Sequence, residues 1–285
     1  MAVYLVLTFG LSWSLGIGFA AFGGEWGSPA SQAAALLFMA PPAFAALIVK
    51  GAILNEPVLA ELGLSLSINR WWLAAWLIPP LTFALSVLIG GSLPGHEFAL
   101  SVDDFIAHFL PQIPMDQQET FIAEVQAYEA HPAIGMIAQA MVAGMTINAV
   151  RGLGEELGWT GFMYREVQAP LLQKALIIGA IWGVWYVPLV AQGFRYPDAP
   201  IAGIPMCIAW CILFTGVAIE LRRLSGSVFP AAIMYGTFEG MAKLPPLTTG
   251  GDSITMGLFG LPGTLGLALL FLGLYLRSVD RAKNA

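Results

Sequence analysis

The chain has 285 residues, of which 58% are hydrophobic and 11% charged, with a mean hydropathy of +0.76. Soluble domains carry about 25% charged residues, so this balance excludes an ordinary globular protein and points to lipid as the main solvent. The formal charge of −6, with 12 basic residues in all, gives no footprint for nucleic acid.

A helix crosses a bilayer with about 20 mostly apolar residues. Eight stretches qualify: 3–22, 31–49, 71–91, 133–150, 175–192, 200–219, 227–244 and 254–276. The expected fold is an all-α integral membrane bundle of about eight spans, one domain over 1–285. Met1-Ala2-Val3-Tyr4 lacks the basic start of a cleavable signal, so the first stretch is read as a retained span. Prolines at 41–42, 79–80, 188 and 205 kink helices but are tolerated in bundles. Cys207 and Cys211, four apart in an apolar run, read as packing.

Short cytoplasmic loops are enriched in Lys and Arg. With both termini inside, ten of the twelve basic residues fall on the cytoplasmic side: Lys50, Arg70, Arg151, Arg165, Lys174, Arg222, Arg223, Arg277, Arg281 and Lys283. Arg195 and Lys243 are left outside. Residues 92–132 form the one long polar insertion, an external loop expected to hold one or two short helices. Seven acids lie in it from Glu97 to Glu129. A multi-pass protein of a bacterial-type plasma membrane is expected.

Ionisable residues near spans are costly and therefore functional candidates. The strongest stretch is Gly154-Glu155-Glu156-Leu157-Gly158-Trp159-Thr160-Gly161-Phe162. Two adjacent carboxylates at a membrane border resist joint ionisation, which equips the pair to donate and accept protons near neutral pH. The plainer alternative is that one Glu caps a helix or pairs with Arg151 or Arg165.

This stretch resembles motif 1 of the CPBP family, the CAAX prenyl-proteases and bacteriocin-processing enzymes. Gly179-Ala180-Ile181-Trp182-Gly183-Val184-Trp185-Tyr186-Val187-Pro188-Leu189 is similar to its motif 2, and residues 227–239, ending Tyr235-Gly236-Thr237-Phe238-Glu239, to its motif 3. The motif core is 133–244. In family peptidases the glutamate and a motif 2 histidine are held to activate water, and a motif 3 His–Asn/Asp pair to stabilise the oxyanion. Here Tyr186 and Tyr235 stand at the two histidine positions, Glu239 at the Asn/Asp position, and Thr160 where an arginine is usual. His96, His108 and His131 all lie in 92–132, whereas the motifs are expected to open towards the cytoplasm.

A phenol with a pKa near 10 is a weak base but a good hydrogen-bond donor. Water activation would rest on Glu155 or Glu156 alone. With no His, Asp or Cys cluster beside them, no metal is expected, and no cofactor motif is visible. At a spacing of four, Trp182 shares a helix face with Tyr186, and Tyr235 with Glu239. The candidate catalytic residues are thus Glu155, Glu156, Glu239, Tyr186 and Tyr235, with Trp159, Trp182, Trp185 and Phe238 expected to wall an aromatic substrate pocket; each ring singly reads as core packing. Three functions fit: acid–base chemistry on an apolar isoprenoid-like substrate (cyclisation or isomerisation), a CAAX-type intramembrane endopeptidase acting on a prenylated or membrane peptide, or an inactive relative binding a membrane peptide or lipid.

Overall fold

The computed structural model describes residues 1–26 and 28–283, and nearly all of its regular structure is helical. The helices used below are α1 (Ala2–Ala21), α2 (Pro29–Met39), α3 (Pro41–Leu47), α4 (Arg70–Gly91), α5 (Val102–Phe109), α6 (Gln118–Gln126), α7 (Pro132–Met145), α8 (Ile147–Glu156), α9 (Leu171–Trp185), α10 (Val187–Val190), α11 (Pro200–Ser225), α12 (Phe229–Met241) and α13 (Leu261–Lys283). The side chains of Arg281 and Lys283, assigned above to the cytoplasmic side, lie outside the described residues.

Among the described residues five helices are long and apolar enough to cross a membrane: Ala2–Ala21, Ala30–Ile53, Arg70–Gly91, Pro200–Ser225 and Leu261–Val279. A sixth exists if the pair Pro132–Met145 and Ile147–Glu166, bent by 53°, is one broken span. Of the eight expected spans, six at most therefore meet this length and apolarity among the described residues. The remaining two stretches are helical but short: α9 has 15 residues and α12 has 13. At a rise of about 1.5 Å per residue, α12 is roughly 20 Å long against a hydrocarbon core of about 30 Å. The chain is an integral, multi-pass membrane protein in which the helices bearing motifs 2 and 3 are the short ones.

Glycines let those short helices sit against neighbouring backbone. A Cβ on Gly152 or Gly236 would come within 2.5 Å of Ala232 or Asn148 main chain, which locks α8 against α12. One on Gly179 would stand 2.4 Å from Ile212 Cα, locking α9 against α11. Close backbone approach through small residues is how helices associate without a hydrophobic drive. Residues 92–132 carry α5, α6 and two 3₁₀ turns, and a two-stranded antiparallel ribbon, Glu97–Phe98 with Thr248–Thr249, ties that segment to the loop before α13.

Candidate functional site

Glu155 and Glu156 end α8, and the chain continues directly into a π-helical turn, Leu157–Met163. Such turns are rare and are found often at functional sites. Both carboxyl groups are 0% exposed. Glu155 accepts two hydrogen bonds, from Trp182 Nε1 at 2.7 Å and from the Tyr186 hydroxyl at 2.8 Å. The i, i+4 face of α9 foreseen in the sequence is therefore the face that meets the glutamate. The Tyr186 hydroxyl lies 2.6 Å from that of Tyr235, so the motif 1, 2 and 3 positions form one hydrogen-bonded chain. Glu156 points elsewhere: the Thr160 hydroxyl is 2.7 Å from its Oε2, and its Oε1 is buried without a partner. Neither glutamate pairs with Arg151 or Arg165. Arg165 instead lies by Ala60 O and Glu61, so the plainer alternative is set aside for both arginines.

Arg195 extends the chain. It sits in the loop between α10 and α11 at φ +67°, a left-handed conformation that costs an L-residue roughly 1–2 kcal/mol. Its Nη2 donates to Glu239 Oε1 at 2.6 Å and lies 3.4 Å from the Tyr235 hydroxyl. The guanidinium stands over the rings of Phe259 (4.0 Å), Tyr186 (4.8 Å) and Trp210 (5.4 Å), and only 4% of the side chain is exposed. Sequence reasoning counted Arg195 only as an external charge. Its one signal was being a solitary basic residue just beyond motif 2. Glu239, expected among the acids of the pocket, is turned to Arg195 and is 27% exposed.

Trp159, Trp182, Trp185 and Phe238 are all fully buried. Trp159 packs edge-on to Trp185, Trp182 on Phe214 and Tyr235, and Phe238 on Trp210. Their faces are covered by other rings, because edge-to-face contact between neighbours is itself favourable. The pocket drawn from the sequence is thus filled by its own walls, and the cation over the aromatic faces is Arg195.

A groove of about 210 Å³ reaches this network from outside. Its lining includes Trp26 and Gln32, then Met39 of α2, Arg151, and Tyr235, Glu239 and Lys243 on the opposite side. Arg151, expected at the cytoplasmic end, lines this groove together with Lys243, Trp26 and Tyr235, and the helix that carries it is bent by 53° from α7 at Thr146. His108 lines a second cavity, of about 380 Å³, together with Arg195, although it makes no bond to the glutamate network. Partial burial holds this histidine below its ordinary pKa. Among the described residues no group of three or more His, Cys, Asp or Glu is placed to hold a metal ion.

Compared with known families, residues 134–241 match the model described as type II CAAX prenyl endopeptidase Rce1-like. The matched stretch holds all three motifs, in keeping with the CPBP resemblance, and it includes the whole of α8, α9 and α12. No curated protein matches the chain.

Proposed function

We propose that this Rce1-like membrane protein is a glutamate-centred intramembrane hydrolase of the CAAX-endopeptidase kind, acting on a prenylated or membrane-embedded peptide. The observation that carries the reading is the contact of Glu155 with the Tyr186 hydroxyl, itself 2.6 Å from the Tyr235 hydroxyl. A carboxylate has about four lone-pair sites and Glu155 uses two here, which leaves room to take a proton from water. The water oxygen attacks the scissile carbonyl, Glu155 takes its proton, and the same proton passes to the departing amine. The Tyr235 hydroxyl, and that of Tyr186 once it turns from Glu155, donate to the oxyanion, the role that positioned donors fill best in a site shielded from bulk water. Phenols replace imidazoles at both positions, so slow turnover is part of the reading, as is a bacterial-type plasma membrane.

Acid–base chemistry on an isoprenoid is the weaker alternative. It would use Glu155 or Glu156 as the acid, but Trp159, Trp182, Trp185 and Phe238 pack on other rings, and Arg195 stands over Tyr186, Trp210 and Phe259.

The test is release of a carboxy-terminal tripeptide from a synthetic prenylated peptide by the purified protein in lipid vesicles, followed by mass spectrometry. Slow release is expected, falling at least about 100-fold in Glu155→Gln, the usual value of a positioned base. No release by the natural protein, with the peptide still bound, would establish an inactive binder instead.

A further inference from the structure

We propose that the groove between α2 and α12 binds the anionic head of a membrane lipid on Arg151 and Lys243, with the first part of its chain along Ala35, Leu36 and Met39. The inference goes beyond the hydrolase reading and does not rest on it. Its starting point is how the described basic side chains are satisfied. Lys50 has Glu56, Glu61 and Glu166; Arg165 has Glu61; Arg195 has Glu239; Arg223 has Glu220. Arg70 and Arg277 stack on Trp71, and Lys174 and Arg222 on Tyr164. Among the described basic residues, only Arg151 and Lys243 have neither acid nor ring, and both line this one groove.

An arginine at a cleft in a membrane bundle is expensive to leave without a counter-charge. The groove's own acid, Glu239, does not supply one, because Arg195 holds it at 2.6 Å. Two uncompensated positive charges therefore remain where an anion is wanted. The rest of the lining is what an amphiphile needs. Gln32 offers an amide at the rim, Trp26 is of the residue type enriched at headgroup level, and Ala35, Leu36 and Met39 form an apolar stripe on one face of α2. At about 210 Å³ the groove is smaller than the roughly 300–1,000 Å³ that encloses a drug-sized ligand. It takes a headgroup and the start of a chain, and the remainder runs out over the lipid-facing side of α2, where Leu36 is 46% and Leu37 57% exposed.

Native mass spectrometry of the full protein, released from micelles with phosphatidylglycerol or with phosphatidylcholine of identical chains, tests this. Retention of phosphatidylglycerol over phosphatidylcholine is expected, weakened roughly tenfold or more in Arg151→Gln/Lys243→Gln. Arg151→Lys keeps the charge and should keep the binding, which separates lost recognition from lost folding. Lys174→Gln, at the opposite end, should change nothing, and Glu155→Gln should bind as well as the natural protein whatever becomes of hydrolysis. Equal retention of both lipids, or equal weakening by Lys174→Gln, overturns the proposal. So does displacement by free glycerol phosphate at lipid-like concentrations, which would mark a site for small anions.

Discussion

Glu239 and Arg195 lie 2.6 Å apart, the arginine 4% and the glutamate 27% exposed. Removing one partner of a fully buried pair costs roughly 3–5 kcal/mol, because the other charge is stranded. Glu239 is only partly buried, so the loss should be nearer that of a charge-assisted hydrogen bond, about 1.5–3 kcal/mol. Glu239→Gln is therefore expected to lower the melting temperature in detergent, as is Arg195→Gln, and the double substitution should lose less than the sum. An unshifted melting temperature with abolished hydrolysis would instead give Glu239 the direct catalytic part that its sequence position suggested. Tyr235→Phe is the complementary case. It keeps the ring among Trp182 and Phe214 but deletes the hydroxyl between Tyr186 and Arg195. Peptide release should fall about 10²–10³-fold, the value of one oxyanion donor, with a stability loss near 1 kcal/mol. Full activity in this variant would remove Tyr235 from the proposed chemistry.

The helices that carry these residues are held by crossings too close for a methyl group. At Gly179 the obstacle is Ile212 main chain, which cannot swing aside as a side chain can. Gly179→Ala should push α9 from α11, cost about 1–3 kcal/mol by overpacking, and carry Trp182 and Tyr186 away from Glu155. Gly10→Ala in α1, where nothing lies within 4 Å, should be neutral or gain up to about 1 kcal/mol, and paired melting curves would compare the two. Each of the eight hydropathic stretches is largely helical, whereas Val58–Leu62, α5 and α6 lie outside them, and the spacing of four put Trp182 and Tyr186 on one helix face. These patterns are local, so they survive in the sequence. The bend at Thr146 has no proline or glycine of its own to announce it, and the π-turn after Glu156 depends on packing against Pro42 and Leu62. The reach of Arg195 to Glu239 spans 44 residues. None of these three is periodic, and composition over a window cannot tell one long helix from two short pieces.

At the scale of the whole molecule, charge divides the bundle into two ends. Lys50 gathers Glu56, Glu61 and Glu166, Arg165 joins at Glu61, and the Arg222 guanidinium lies against Gly63. Arg70 and Arg277 share Trp71, so α4 begins where α13 approaches its end. The 92–132 segment is placed apart from these residues, with His108 in the cavity of Arg195. Arg151 faces the groove instead of the basic end, but the excess that orients the chain does not depend on one residue. The positive-inside rule then predicts that the Lys50 end is cytoplasmic and that 92–132 is on the other side. Single cysteines in sealed vesicles decide it. Lys174→Cys should react with an impermeant maleimide only from the cytoplasmic face, while Asp116→Cys and Lys243→Cys react only from the opposite one. Lys243 is the informative member of the set, because it lines the groove that leads to Tyr235. If it labels with Asp116, substrate and lipid head approach from the non-cytoplasmic side, against what the motifs alone suggested. If it labels with Lys174, the two-ended division fails and the groove to Tyr235 opens on the cytoplasmic side.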